Sequence, residues 1–368
     1  MTYIHERPSW PTFTWAIDRL ATKLGAVRHR QGRLVGHMSA LGFAMREEAV
    51  LATLTQDVLK SSEIEGERLD QDQVRSSIAR RMGMDIAGLV QADRHVDGVV
   101  EMMLDATQNY SSPLTAARLF AWHAAMFPTG RSGMTAITVG AWRTDDKGPM
   151  QVVSGPIGRE LVHYEAPAAA RLEEEMARFV RWIESDTGID PVLKAGIAHF
   201  WFVTFHPFDD GNGRIARAIA DLALARAEQT AQRFYSMSAQ IRQERNVYYD
   251  LLEATQKRDG DLTDWLEWFL DCLGRAFDGA EQTLSAVLHK ARFWEKFGTT
   301  PINDRQRNII SRLLNGFEGK LNSSKWAKIT KVSADTALRD IQDLVEKAIL
   351  VRDDAGGRST SYSLADIE

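Results

Sequence analysis

The stretch His206-Pro-Phe-Asp-Asp-Gly-Asn-Gly-Arg-Ile-Ala-Arg217 gathers an imidazole, two carboxylates, an amide, two guanidinium groups and two glycines into twelve residues. Gly211-Asn212-Gly213 suits a backbone that turns with positive φ and brings its N–H groups together. Such a concavity at a helix N-terminus attracts anions. Arg214 and Arg217 lie three apart, so a helix puts them on roughly one face, where guanidinium groups suit phosphates. Asp210 beside them is a carboxylate of the kind that holds a divalent cation. His206 is the group in the loop that takes a proton near neutral pH. The parts add up to a nucleoside triphosphate site with a general base. A helix–turn–helix corner carrying surface charges is the plainer alternative. A lone Gly-Asn-Gly favours that alternative; the full set of residue types at these spacings does not.

The elements that must position this loop are apolar. Val192–Phe205 precedes it and Ile215–Ala225 follows, which reads as buried helix, sharp polar loop, buried helix. Asp190-Pro191 caps and opens the first of these. Upstream, Leu172, Met176, Phe179, Val180 and Ile183 mark an amphipathic helix. Leu119, Trp122, His123 and Met126 share another helix face, with cap residues at 112–115; His123 there reads as packing rather than as a ligand. Between these, Met150–Val153 and Leu161–Tyr164 change to a short β-like period around Ser154-Gly-Pro-Ile-Gly158, which predicts a hairpin. Further toward the N-terminus, Ser61 and Glu65 are one helical turn apart and Gly66 can end that helix. Taken alone, Glu65 is a solvated helix-end charge, and the pair Tyr248-Tyr249 is half-buried packing.

The string His-Pro-Phe-x-Asp-Gly-Asn-Gly-Arg-x-x-Arg is the signature of Fic domains, and residues 206–217 match every specified position. The chain therefore resembles a Fic-domain protein adenylyltransferase. The resemblance implies a mainly α fold: a Fic-type helical core with a β-hairpin flap, a helical N-terminal domain and a C-terminal winged helix. The implied reaction is AMPylation. AMP passes from ATP, with Mg²⁺ on Asp210, to a Ser, Thr or Tyr hydroxyl of a target protein or of the chain itself, with His206 as base. The nucleotide is expected against Asp210, Gly211, Asn212, Gly213, Arg214, Ile215, Ala216 and Arg217. Asn212, Arg214 and Arg217 would hold the α-, β- and γ-phosphates in turn. The flap residues Val152, Val153, Ser154 and Gly155 would border the nucleotide and line up the target as an added strand. Tyr248, Tyr249 and Gln256 would line the adenine and ribose pocket. Ser61, Glu65 and Gly66 match the family's inhibitory Ser-x-x-x-Glu-Gly motif, whose glutamate pairs with the second arginine, here Arg217, in place of the γ-phosphate. Two other readings remain open here: removal of AMP with Glu65 orienting water, and a transcription regulator whose core senses nucleotide.

The 368 residues hold enough for two or three domains, and 44% are hydrophobic. The expected division is a helical N-terminal domain over 1–110, the catalytic core over 111–280, a linker helix over 281–300 and a winged-helix-like domain over 301–368. Net charge is −5, against a chain-wide nucleic-acid or membrane footprint. Cys272 is the sole cysteine, so no disulfide forms within the chain. Residues 1–7 lack the apolar core of a signal peptide, and no apolar run is long enough to span a bilayer, so a cytoplasmic protein is expected. The winged-helix reading rests on three helical patterns from Arg305, then strand, turn at Asp353–Gly357, and strand. Residues 301–368 hold 11 Lys and Arg against 10 Asp and Glu, short of a basic footprint, so DNA binding and protein contact are both open. A homodimer is expected.

Overall fold

A computed structural model describes residues 2–366 except 87, 157, 160, 318 and 354–359. Among them are fourteen α-helices and three two-stranded sheets. The expected turn at 353–357 thus lies largely outside the described residues. The chain divides into two compact units, Met1–Asp85 with Leu89–Glu281, and Ile86–Gly88 with Gln282–Glu368.

The first unit begins with α1 (Ile17–Ser39), α2 (Phe43–Ile64), α3 (Gln71–Arg81), α4 (Arg94–Gln108) and α5 (Ala116–Met126). Two hairpins follow, β1 (Arg131–Ser132) with β2 (Thr135–Ala136), and β3 (Gln151–Ser154) with β4 (Leu161–Glu165). Then come α6 (Leu172–Glu184), α7 (Pro191–Phe205), α8 (Asn212–Glu228), α9 (Met237–Gln243) and α10 (Arg245–Gln256). The helix α11 (Thr263–Phe297) is continuous, so no break separates the apolar stretch from Asp264 and the helical stretch from residue 280.

The pair α7 and α8 forms the centre of this unit. Every α7 residue from Val192 to Phe205 except Lys194 is buried, as its all-round apolar sequence requires. Asp190 caps it by accepting a hydrogen bond from Val192 N–H at 2.8 Å. Trp201 and Phe205 pack edge-on against Trp10 and Phe13 of the N-terminal segment. Both α2 and α4 lie against α8, bringing the end of α2 to the start of α8.

The second unit contains α12 (Asp304–Leu314), α13 (Ser323–Thr330), α14 (Ala334–Glu346), β5 (Leu350–Arg352) and β6 (Tyr362–Leu364). Trp326, Ile309, Ile310, Ile341 and Leu344 fill its core. The strands pair antiparallel, and Tyr362 also bridges back to Leu321. Asn303, Asn322 and Ser333 cap the three helices in turn. No described helix in the chain is long and apolar enough to cross a membrane.

Candidate active site

The loop between α7 and α8 is held by its own residues. His206 ends α7 in the left-handed region, φ 46°, a conformation costly for a side chain other than glycine. Gly211, φ 82°, opens α8, and a Cβ there would stand 2.9 Å from Met126 and 3.0 Å from Phe127. Only glycine meets both demands. Phe208 is the loop's buried peg, stacked on His123 at 4.2 Å between centroids. Asn212 spans the loop: its Oδ1 accepts from Phe208 N–H at 3.0 Å and its Nδ2 donates to Phe208 O at 2.8 Å. Its amide is therefore used inside the loop, and what it offers an anion is its backbone N–H. Ile215 and Ala216 are likewise buried side chains that leave only backbone near the loop.

His206 Nδ1 lies against Val203 O, so it carries the proton and Nε2 is left as the ring's acceptor. Burial lowers the His206 pKa, partly offset by the Val203 carbonyl, so the ring is neutral at pH 7. The His206 carbonyl accepts from Arg143 Nε at 2.7 Å. The same buried guanidinium reaches Pro167 O and Asp145. His123 binds the Asp210 carbonyl through Nε2 at 3.2 Å and accepts from Gly140 N–H at 3.4 Å. Burial holds its pKa near 4, so it is a neutral strut, as its helical position suggested.

The Asp210 carboxylate accepts from Gly211 N–H at 2.5 Å and from the Ser132 hydroxyl of the β1–β2 hairpin. It lines a cleft of ≈ 460 Å³ together with Arg214, Glu65, Glu67, His95 and Phe127. A half-exposed carboxylate bearing only neutral donors fits a Mg²⁺ ion, which takes most of its remaining ligands from phosphates and water.

Arg214 and Arg217, in the first two turns of α8, are both occupied. Arg217, 2% exposed, donates from Nε to Ser61 Oγ at 2.9 Å, and from Nη2 to Ser61 O and Glu65 Oε1, each at 2.8 Å. Glu65 thus pairs with Arg217. The pairing is possible because α2 ends at Ile64, Glu65 is its C-cap and Gly66 turns the chain at φ 85°. Gly213 provides the room, since a Cβ there would come within 2.1 Å of Glu65 Oε1. Arg214 donates to Glu67 Oε2 at 2.7 Å and lies over the Phe127 ring.

Of the other expected site residues, Tyr249 reaches this group, 3.4 Å from Glu65 Oε2. Tyr248 is buried and shares a hydrogen bond with His199 at 2.9 Å, and Gln256 is buried on Thr204 at 3.3 Å. The flap pairs Val152 with Tyr164 and Val153 with Val162, with a register shift between the two valines. Ser154 Oγ meets His163 Nε2 at 2.6 Å, and His163 Nδ1 meets Glu253 of α10 at 2.7 Å. Gly155 turns at φ 98°. Arg143, Ser132, His95 and Glu67 were not singled out from sequence. Glu67 alone carried a signal, a second carboxylate two residues past Glu65.

Comparison with known proteins places names beside this geometry. The model of the Fic/DOC family matches residues 113–224, and that of a domain of unknown function, DUF4172, matches residues 3–84. The chain is 26% identical over 234 residues to the protein adenylyltransferase Fic of Drosophila yakuba, covering 61% of this chain and 41% of that one. It is 32% identical over 114 residues to that of Culex quinquefasciatus, covering 30% and 21%. The chain thus spans less than half the length of these curated relatives. In structure it is similar to a Fic family protein from Desulfovibrio desulfuricans G20, with TM-score 0.53 and 21% identity over 94% of this chain and 96% of that one. A Fic domain containing signaling protein from Bacteroides thetaiotaomicron VPI-5482 also gives TM-score 0.53, at 18% identity over 71% and 97%.

Proposed function

We propose, from the premise that residues 113–224 are a Fic domain, that the chain transfers AMP from ATP to a protein hydroxyl and is held back by Glu65. The observation that carries this is the start of α8. Two buried guanidinium groups converge there, each already holding a carboxylate, beside a neutral imidazole with a free acceptor nitrogen. Carboxylates stand where phosphates would, because both are anions that a guanidinium binds through paired N–H donors.

In the transfer, a Ser, Thr or Tyr oxygen attacks the α-phosphorus. Its O–P bond forms, the bond to pyrophosphate breaks, and His206 Nε2 takes the hydroxyl proton. The N–H groups of Asn212 and Gly213 at the helix N-terminus receive developing charge, and Arg214 and Arg217 hold the outer phosphates. Asp210 would hold Mg²⁺, whose contribution is charge neutralisation between phosphates. Tyr249 offers a ring face for adenine. The flap supplies backbone edges on which an extended target segment can add as a strand. The acceptor is a target protein or the chain itself. The second unit, three helices and a pair of antiparallel strands, we read as a winged helix.

Glu65→Gly should raise incorporation of labelled AMP, and adding His206→Ala should abolish it. If Glu65→Gly leaves labelling at the wild-type level while ATP binds, Glu65 is not the restraint.

A further inference from the structure

Glu67 does for Arg214 what Glu65 does for Arg217. Gly66 reverses the chain between them, so two carboxylates two residues apart both face the positive start of α8. Glu67 differs in having a second cation. Its Oε2 accepts from Arg214 Nη1 at 2.7 Å, and its Oε1 lies 2.5 Å from His95 Nε2, an ion-pair contact without hydrogen-bond alignment. His95, at the start of α4, is fixed from behind by the Met126 carbonyl, 2.8 Å from Nδ1. The Glu67 carboxylate beside Nε2 raises the His95 pKa, which favours the doubly protonated, charged ring. Burial opposes ionisation of Glu67, but His95 and Arg214 together hold its pKa below the usual value. Neither arginine is fully satisfied: Arg214 Nε and Arg217 Nη1 are buried without a hydrogen-bond partner among the described residues. Such donors call for a ligand with more oxygens than two carboxylates supply.

We propose that Glu67 is a second carboxylate latch over the triphosphate site, and that His95 is the station to which it withdraws when a phosphate takes Arg214. This rests on the reading that Arg214 and Arg217 hold the triphosphate. Releasing Glu65 alone then leaves one arginine still occupied. Glu67 yields its arginine to phosphate at reduced cost, because it keeps a charged partner at His95 instead of returning to water unpaired. Among the described residues Glu65 pairs with no second cation; its other hydrogen bond comes from the Tyr249 hydroxyl.

The test is titration of MgATP into the full chain carrying His206→Ala, which blocks turnover, with calorimetry giving Kd. Glu65→Gly is added first, then Glu67→Gln or His95→Ala on top of it. Glu67→Gln should tighten ATP about fivefold, the scale of one partly exposed charge pair. His95→Ala should weaken it, because Glu67 then has only Arg214 to hold. A merely structural role for the trio would move both variants the same way. Should Glu67→Gln leave Kd unchanged or loosen it, or should His95→Ala tighten binding, the second latch is overturned while the triphosphate reading stands. Glu67→Ala repeats the arm if the glutamine variant melts early. An absence of ATP binding in every variant overturns both.

Discussion

The loop at 206–217 and the flap at 151–165, which would flank the proposed reaction, are built in opposite ways. In the loop, Phe208, Asn212, Arg214 and Arg217 are all buried, and side chains from α5, from the segment around Arg143 and from the loop itself hold its backbone. In the flap, Val153, Leu161 and Val162 are 47%, 62% and 39% exposed on a sheet of two strands. A two-stranded ribbon is marginal by itself and leaves open edges. The difference teaches where each kind of specificity resides. The proposed chemistry at phosphorus would need atoms fixed to a fraction of an ångström, which a loop locked by its own contacts supplies. The proposed acceptance of a protein segment would need unpaired backbone and apolar surface, which an incomplete flap leaves available.

The largest effect that bears on this contrast is at the base. In the Glu65→Gly background, His206→Ala should lower AMP transfer by roughly 10²–10⁴-fold, the usual worth of a positioned general base. Labelled AMP with gel readout suffices. A drop of less than tenfold would mean that the locked imidazole is not the proton acceptor, and the reason for locking it would be lost.

Acid should act on the rigid side of the molecule. Burial lowers the pKa of His199 to about 3 and of His123 to about 4, and also depresses those of His206 and His5. The unfolded chain takes up these protons near pH 6.5 while the fold refuses them. Stability is therefore full above that pH and falls as pH drops toward each folded value. His123 and His199 together should remove roughly 3 kcal/mol between pH 6.5 and pH 5. His95 opposes them: its raised pKa gives stability that is present below 6.5 and lost as pH rises through the folded value. Urea midpoints across this range give the slope, and His199→Gln should flatten it. A slope unchanged by that substitution would place the acid sensitivity elsewhere.

Much of this was legible in the sequence for a local reason. The loop's chemistry is contiguous, so residue types and spacing expose it, and the helix end at Ser61–Gly66 carries its own stop signal in glycine. The cap at Asp190 is equally local. What stayed hidden depends on contacts across long sequence separations. Arg143 reads as one arginine among many until its guanidinium is found under the His206 carbonyl, 63 residues away. Tyr248 and Tyr249 are neighbours of one type, yet helical rotation turns the first into the core against Trp265 and Trp268 and leaves the second beside Glu65. His95 and Glu67 are 28 residues apart and meet only because α4 returns to the mouth of the cleft.

Arg143 measures what the locking contributes. Arg143→Met keeps the aliphatic stem and leaves the His206 and Pro167 carbonyls without their donor. A cost of about 2–3 kcal/mol is expected, given that Asp145 remains partly hydrated. Tyr164→Phe removes one hydrogen bond to Thr204 O on the flap side and should cost only about 1 kcal/mol. Chemical denaturation of the two variants compares the regions directly. Equal losses would show that the flap is as firmly built as the loop.

The smallest effect sharpens the contrast at its weakest point, the partly exposed side-chain tie from the flap to α10. His163 sits between Ser154 on β3 and Glu253 on α10, so it links the ribbon to a helix of the core. Removing it costs no buried charge, because Glu253 keeps Lys257 as a partner. His163→Ala should therefore leave ATP affinity unchanged and lower transfer to a protein hydroxyl by about fivefold, the worth of roughly one hydrogen bond. The two readouts must separate: calorimetric Kd for MgATP on one side, rate of self-labelling in the Glu65→Gly background on the other. If both fall together, flap and loop act as one rigid site. If neither moves, the ribbon is positioned by Tyr164 and its turn alone, and the tie to α10 is incidental.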